Sequence, residues 1–86
     1  RVLVAEDNVV NQRLVGALFR SAGVEVDIVG DGQQAIAMCE RQRYDVVFMD
    51  CLMPGVDGFE ATRTIRSREP HGQHLPIVAL TANALP

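Results

Sequence analysis

Apolar positions along the chain form short runs that alternate with stripes of helical spacing. Residues 2–5, 46–49 and 76–80 are apolar runs too short for helices, and 24–29 begins with alternation of apolar and acidic residues. Alternation predicts a strand, and a continuous apolar run such as 46–49 is typical of a strand that is buried on both faces. The pattern therefore predicts four strands.

Between these runs, apolar residues recur every three or four positions, which predicts helices. One stripe runs through Val10, Leu14 and Leu18, and Gly23 follows it where a left-handed residue would end the helix. Asp31 and Asp57 are each followed three positions later by Gln or Glu, the capping-box signature of a helix start. The predicted helices span 9–22, about 32–42 and about 57–67.

Strands and helices in strict alternation predict an α/β fold. Right-handed crossovers between parallel strands place helices on both faces of one sheet, which gives a doubly wound parallel sheet. In one common strand order for such folds, 2-1-3-4-5, strands 1 and 3 are neighbours. A chain of 86 residues is one domain at most.

Carboxylates stand at the predicted carboxyl ends of strands 1 and 3, as Glu6, Asp7 and Asp50. Sites in open parallel sheets form beyond these ends, so we expect the three side chains to converge in one crevice. Like charges repel unless a cation compensates, and Mg²⁺, a hard ion with oxygen ligands, is the natural compensator. A carboxylate beside such an ion suits phosphoryl chemistry, in which the carboxylate is the nucleophile.

A structural role is the alternative interpretation of these acids. Glu6 and Asp7 could serve as N-caps of the first helix, and for that pair alone the two interpretations have equal weight. Asp50 does not fit this role, because Asp57 already caps the next helix and an unpaired carboxylate after an apolar strand is costly. Thr81, which follows the fourth strand, joins the acids on adjacent strand ends, and the set together favours a functional site.

Charge and cysteine content narrow the function classes. Eleven acidic and eight basic residues leave a net charge of −3, which argues against nucleic-acid binding, because phosphate-backbone affinity needs clustered positive charge. No apolar run approaches the roughly 20 residues needed to cross a bilayer. The cysteines, Cys39 and Cys51, have no metal-ligand spacing, so we expect a reduced, cytoplasmic setting.

Three segments carry a resemblance to a known family: VAEDN at 4–8, MDCLMPGVDG at 49–58 and PIVALTA at 76–82. In order and spacing they resemble the receiver domain of two-component response regulators, over the whole chain. The variants AEDNVVNQ at 5–12 and ALTANA at 79–84 resemble receiver domains attached to hybrid sensor histidine kinases.

The resemblance implies a phosphoacceptor. Asp50 would take phosphate from a phosphohistidine, so the expected partner is a histidine kinase or a histidine phosphotransfer domain. The domain would catalyse its own phosphorylation and dephosphorylation, and would relay the phosphate or switch an output. Thr81 would hydrogen-bond the phosphoryl group, and Leu52 and Asn83 stand at positions that influence how long the phosphate survives.

The resemblance also implies a metal site, for Mg²⁺ or Mn²⁺. Asp7 and Asp50 would bind the ion directly, Glu6 would bind it through a water, and Leu52 would contribute its backbone carbonyl. We expect no contact of this domain with nucleic acid or membrane, whether or not its parent protein is anchored in a membrane.

The chain departs from the family in its length and in one residue type. A receiver domain continues with a further helix, strand and helix, and carries a lysine after the fifth strand, whereas all eight basic residues here are arginines. We therefore expect residues 1–86 to be a receiver domain that is incomplete at its C-terminal end, with the flavodoxin-like order 2-1-3-4(-5) lacking its last helix, strand and helix. An open sheet edge and a bare apolar helix face predict weak stability or self-association.

Two other functions stay open. The absence of lysine favours a degenerate receiver that docks partners without phosphate, whereas intact Glu6, Asp7 and Asp50 oppose it. A Mg²⁺-dependent phosphatase with an aspartyl-phosphate intermediate has similar chemistry. Such enzymes usually place a second acid two residues after the nucleophile, where this chain has Leu52.

Overall fold

A computed structural model describes residues 1–80, which form four strands and three helices in the predicted order. The elements are β1 Val2–Ala5, α1 Val9–Ser21, β2 Val26–Val29, α2 Gly32–Arg41, β3 Val46–Asp50, α3 Gly58–Ser67 and β4 Ile77–Leu80. The strands are parallel and lie in the order β2-β1-β3-β4. The predicted α/β fold and its 2-1-3-4 strand order are confirmed. None of the helices described is long and apolar enough to span a membrane.

Strands β1 and β3 form the centre of the sheet, because each is paired on both sides. Leu3, Val4 and Val47 have no exposed surface, in agreement with the continuous apolar runs that predicted these strands. Ala5 at the end of β1 is paired with Met49 of β3. This register decides which polar residues meet beyond the strand ends.

The helices lie on both faces of the sheet. The connection through α1 crosses the sheet in one direction, and those through α2 and α3 cross it in the other. Right-handed crossovers therefore place α1 on one face and the other two helices on the opposite face, where α2 packs against α3. The main core lies on that second face, between Leu3 and Met49 of the sheet and Ala35, Ala61 and Ile65 of the helices.

The apolar stripe of helix α1 suggests that Val10, Leu14 and Leu18 face the sheet, but a different side of the helix does so. Val10, Leu14 and Leu18 are 71%, 58% and 62% exposed. The side that faces the sheet contains buried Gly16, and the Phe19 ring lies 5.6 Å from the ring of Phe48 in β3. Apolar residues on two sides of α1 thus give a packed face and, among the residues described, an exposed one.

The helix starts follow the predicted caps at two of three positions. The Oδ1 atoms of Asp31 and Asp57 accept hydrogen bonds from the backbone N–H groups of Gln34 and Glu60, at 2.8 and 2.9 Å. At α1 the cap is Asn8, whose Oδ1 accepts from the backbone N–H of Asn11 at 3.0 Å. The interpretation of Glu6 and Asp7 as caps of this helix is therefore wrong, and both acids are left for another role.

The link from α1 to β2 confirms one prediction and corrects another. Gly23 has a φ of 76°, the left-handed conformation expected just after a helix end. Strand β2 begins at Val26 rather than at Val24, because the backbone N–H of Val24 bonds to the carbonyl of Phe19 at 2.9 Å. The hydrogen bond to the helix end thus keeps Val24, the first residue of the predicted strand, out of β2.

Candidate functional site

The structure brings together Glu6, Asp7 and Asp50 at the carboxyl ends of the central strands. Because Ala5 is paired with Met49, the residues that follow them, Glu6 and Asp50, stand side by side. One ligand oxygen from each of the three carboxylates lies within 4.8 Å of the others. Glu6 and Asp50 are only 7% and 9% exposed, whereas Asp7 is exposed. The cluster is therefore buried on one side and open to solvent at Asp7.

Polar groups of α1 hold the Glu6 carboxylate. Its Oε1 accepts hydrogen bonds from the backbone N–H of Asn8 and from Nδ2 of Asn11, both at 3.1 Å. Burial raises the pKa of Glu6 most strongly, and the neighbouring Asp50 raises it further, while the two hydrogen bonds lower this pKa. The net direction is upward, so the site disfavours the charge on Glu6 when no cation is bound.

This upward shift predicts a pH dependence of stability in the metal-free protein. Because its pKa is raised on folding, Glu6 stabilises the folded protein when it is protonated. This contribution to the free energy of unfolding is complete below the ordinary pKa of 4.5 and is lost as pH rises through the raised pKa of the folded protein. We expect Glu6→Gln to gain free energy of unfolding relative to wild type as the pH rises through this window. Urea titrations across pH, with chelator present, measure the difference. A difference between the two proteins that is constant with pH would contradict the prediction.

Asp50 is held by the loop that follows it. Its Oδ1 accepts a hydrogen bond from the backbone N–H of Leu52 at 3.0 Å, which fixes the orientation of the carboxylate. Gly58, the first residue of α3, donates its N–H to the carbonyl of Cys51 at 3.3 Å. The start of α3 therefore lies directly against the end of β3. Leu52, in the loop between them, is 64% exposed.

The cluster has the chemistry of a cation site. None of the ion pairs formed among residues 1–80 includes Glu6, Asp7 or Asp50, so within that part of the chain their negative charge has no cationic partner. Adjacent carboxylate oxygens are the ligands that Mg²⁺ prefers, and a hard divalent ion would remove the repulsion between them. The residues present therefore fit a bound Mg²⁺.

The other predicted site residues have different outcomes. Leu52 lies next to Asp50, as its hydrogen bond shows, and its role as a carbonyl ligand stays a prediction. Thr81 and Asn83 lie outside the described residues; Leu80, which precedes Thr81 in the chain, is paired with Asp50.

Sequence reasoning missed the residues that support Glu6. Asn8 and Asn11 contact its carboxylate, and Nε2 of Gln12 donates to its backbone carbonyl at 2.6 Å. These residues belong to the AEDNVVNQ segment, whose polar positions fall at the start of a helix that is otherwise apolar on two sides. An asparagine directly before the first residues of the helical stripe, as Asn8 is, is the N-cap signal that could have identified the first of them.

Comparison with known proteins gives a consistent picture. A family model described as the response regulator receiver domain matches residues 2–85. The chain is 36% identical over 91 residues to hybrid signal transduction histidine kinase K of Dictyostelium discoideum and 44% identical over 87 residues to the sensor protein GacS of Pseudomonas syringae. Each alignment covers 99% of this chain, which spans only 8% and 10% of the lengths of these two relatives.

Solved structures agree with these matches. The receiver domain of a Pseudomonas aeruginosa sensor histidine kinase, with a magnesium ion coordinated in its active site cleft, is 54% identical and superposes with a TM-score of 0.89. That match covers 98% of this chain and 68% of the other. The receiver domain of the response regulator Ssk1 of Saccharomyces cerevisiae, in complex with the histidine phosphotransfer protein Ypd1, is 31% identical with a TM-score of 0.85. Here the match covers 98% of this chain and 64% of the other.

Proposed function

The chain belongs to the response regulator receiver domain family, and on that premise we propose that it accepts a phosphoryl group on Asp50 in a Mg²⁺-dependent reaction. The observation that carries the proposal is the convergence of Glu6, Asp7 and Asp50, with ligand oxygens within 4.8 Å of one another. A magnesium ion in the corresponding cleft of the relative that is 54% identical supports the choice of metal.

In the proposed reaction a carboxylate oxygen of Asp50 attacks the phosphorus of a phosphohistidine. A P–O bond forms and the P–N bond breaks, and the histidine nitrogen keeps the electron pair and takes a proton from solvent. Asp7 and Asp50 would hold Mg²⁺ directly, Glu6 through a water, and Leu52 through its carbonyl. When bound, the ion supplies positive charge that neutralises the phosphoryl oxygens. The hydrogen bond from Leu52 N–H holds the Asp50 carboxylate in one orientation.

The remaining predicted roles belong to the same reaction. Thr81 would donate a hydrogen bond to the phosphoryl group, and its place in the chain directly after Leu80, the partner of Asp50, supports this. Leu52 and Asn83 would influence the lifetime of the phosphate. For Leu52, an exposed side chain on a residue that is hydrogen-bonded to Asp50 supports this role.

We propose that the donor is a histidine kinase or a histidine phosphotransfer domain, and that the parent protein is a hybrid histidine kinase acting in the cytoplasm. The similarity to hybrid signal transduction histidine kinase K and the free thiols of Cys39 and Cys51 support this setting. A donor must dock around the open side of the cluster. Exposed apolar residues follow its acids closely in the chain, with Val9 and Val10 just after Asp7 at the start of α1 and Leu52 two residues after Asp50; we take them as the rim of that side. A partner that presents its phosphohistidine on an apolar helical surface fits this rim.

A substitution in this rim should slow phosphotransfer from a protein donor without affecting a small-molecule donor. We expect Val10→Gln to slow phosphotransfer from a histidine-phosphorylated protein by about tenfold, which corresponds to ~1.4 kcal/mol of lost contact. Phosphorylation by acetyl phosphate should stay unchanged, because a small donor needs no docking surface. Leu18→Gln, two turns further along the same helix face, is the control with a smaller effect. Equal slowing with both donors would contradict a docking role.

The proposed function is tested by incubating the protein with Mg²⁺ and acetyl phosphate and measuring its intact mass. We expect the mass of one phosphoryl group to appear with Mg²⁺ and not with chelator. No gain under either condition would refute the proposal and favour the degenerate receiver, which docks partners without phosphate.

A further inference from the structure

Glu6 is fixed by its backbone as well as by its side chain. Its N–H donates to the carbonyl of Val29 in β2 at 3.0 Å, which extends the sheet by one residue. Its carbonyl accepts from Nε2 of Gln12 at 2.6 Å. The main chain at Glu6 is therefore bound on both sides, and only the rotation of the side chain is left to place the carboxylate.

That rotation is restrained by two donors, and Asn11 provides the one that comes from a side chain. Glu6 Oε1 accepts from Asn11 Nδ2 and from the backbone N–H of Asn8, both at 3.1 Å. Asn11 is itself fixed within the first turn of α1, because the side chain of Asn8 accepts its backbone N–H at 3.0 Å. Two donors on one oxygen leave the second oxygen of Glu6 without a hydrogen bond among residues 1–80, in a carboxylate that has an oxygen within 4.8 Å of those of Asp7 and Asp50.

We infer that Asn11 is a positioning residue for the metal site, which acts by holding the Glu6 carboxylate against the repulsion of its acidic neighbours. This inference rests on the proposed function, because it assigns Asn11 a part in the binding of Mg²⁺. Asn11 does not touch the ion in this assignment. It keeps the Glu6 carboxylate in the orientation from which a water bound to it would contact the ion, and such outer contacts tune metal affinity.

Within residues 1–80 the side chain of Asn11 is exposed, so that part of the chain gives it no buried packing role. It lies on the exposed part of α1, and its amide makes the hydrogen bond to Glu6. Leucine has a higher helix propensity than asparagine. Asn11→Leu therefore removes the hydrogen-bond donor to Glu6 without lowering the intrinsic stability of the helix.

The test is isothermal titration of the unphosphorylated protein with MgCl₂, together with thermal unfolding in chelator. We expect Asn11→Leu to raise the Kd for Mg²⁺ by about tenfold, while its metal-free melting temperature is not lowered. Asn11→Gln keeps the amide on a longer arm and should restore part of the affinity. Gln33→Leu makes the same amide-to-leucine change at an exposed position of α2 and should leave the Kd unchanged.

The outcomes separate the two proposals. If wild type binds no Mg²⁺, the proposed function fails and this inference fails with it. If wild type binds and Asn11→Leu has the same Kd, only the positioning role is overturned. A raised Kd that comes with an equally large loss of metal-free stability would also overturn it, because the substitution would then have damaged the fold.

Discussion

Asp50→Asn should gain no phosphoryl group from acetyl phosphate under conditions in which the wild-type protein gains one. A neutral amide oxygen is a far weaker nucleophile than a charged carboxylate oxygen, so we expect the rate to fall by roughly 100-fold or more, ~2.7 kcal/mol in the barrier, which leaves no detectable phosphate on this timescale. The variant should stay folded, because the asparagine oxygen can still accept the hydrogen bond from Leu52 N–H. It also removes one of three adjacent negative charges, so its metal-free melting temperature should not be lower.

The measurement is the intact mass after incubation with Mg²⁺ and acetyl phosphate. Asp45→Asn makes the same chemical change at the residue that directly precedes β3, where the side chain is 85% exposed. We expect this control to gain phosphate as wild type does. Phosphate on Asp50→Asn at the wild-type rate would show that another residue is the acceptor.

Gly58→Ala should unfold or severely weaken the protein. A Cβ atom at Gly58 would lie 2.1 Å from the carbonyl oxygen of Asp50, 2.8 Å from its carbon and 2.9 Å from Cα of Cys51. These are backbone atoms of the last residue of β3 and of the residue that follows it, and they cannot turn aside as the end of a long side chain can. Overpacking costs about 1–3 kcal/mol where side chains can adjust, so we expect about 3 kcal/mol or more here.

Urea unfolding followed by circular dichroism measures this cost, and phosphorylation should fall with it because the clash falls on Asp50. Gly30→Ala is the control, since its Cβ would lie 3.7 Å from Nε2 of Gln12 and 3.9 Å from Oε1 of Gln34, which is ordinary contact. We expect it to change the free energy of unfolding by less than about 1 kcal/mol. An unaltered urea midpoint for Gly58→Ala would mean that α3 approaches β3 less closely than described.

The order of elements and the meeting of the acids could both be predicted from the sequence. Short apolar runs that end in Glu6 and Asp50 identify strands and their carboxyl ends, and a parallel sheet brings such ends to one edge. Right-handed crossovers do not fix which runs pair; the expectation that strands 1 and 3 are neighbours rests on a strand order common in such folds. The strands thus follow from periodicity in the sequence, whereas their pairing follows from precedent among folds of this class.

The features that the sequence did not predict correctly depend on tertiary contacts. Helix α1 carries apolar residues on two sides, and periodicity does not say whether Leu14 or Phe19 faces the sheet. Phe19 packs on Phe48, which belongs to a strand almost thirty residues later, so the choice is made by a partner distant in sequence. The same holds for Asn11, whose function depends on where the first helical turn carries its side chain relative to Glu6.

The register between β1 and β3 assembles the acidic cluster only when the chain folds, and this links metal binding to the lifetime of the protein in the cell. Glu6 and Asp50 are 44 positions apart in the chain and adjacent only when Ala5 is paired with Met49, so an unfolded chain offers no comparable site. An ion that binds only the native chain stabilises it, by about 2.7 kcal/mol when its free concentration is 100 times the Kd. Free magnesium would then lower the fraction of unfolded chains exposed to proteases, and magnesium starvation would reduce the abundance of this domain before it limited the reaction.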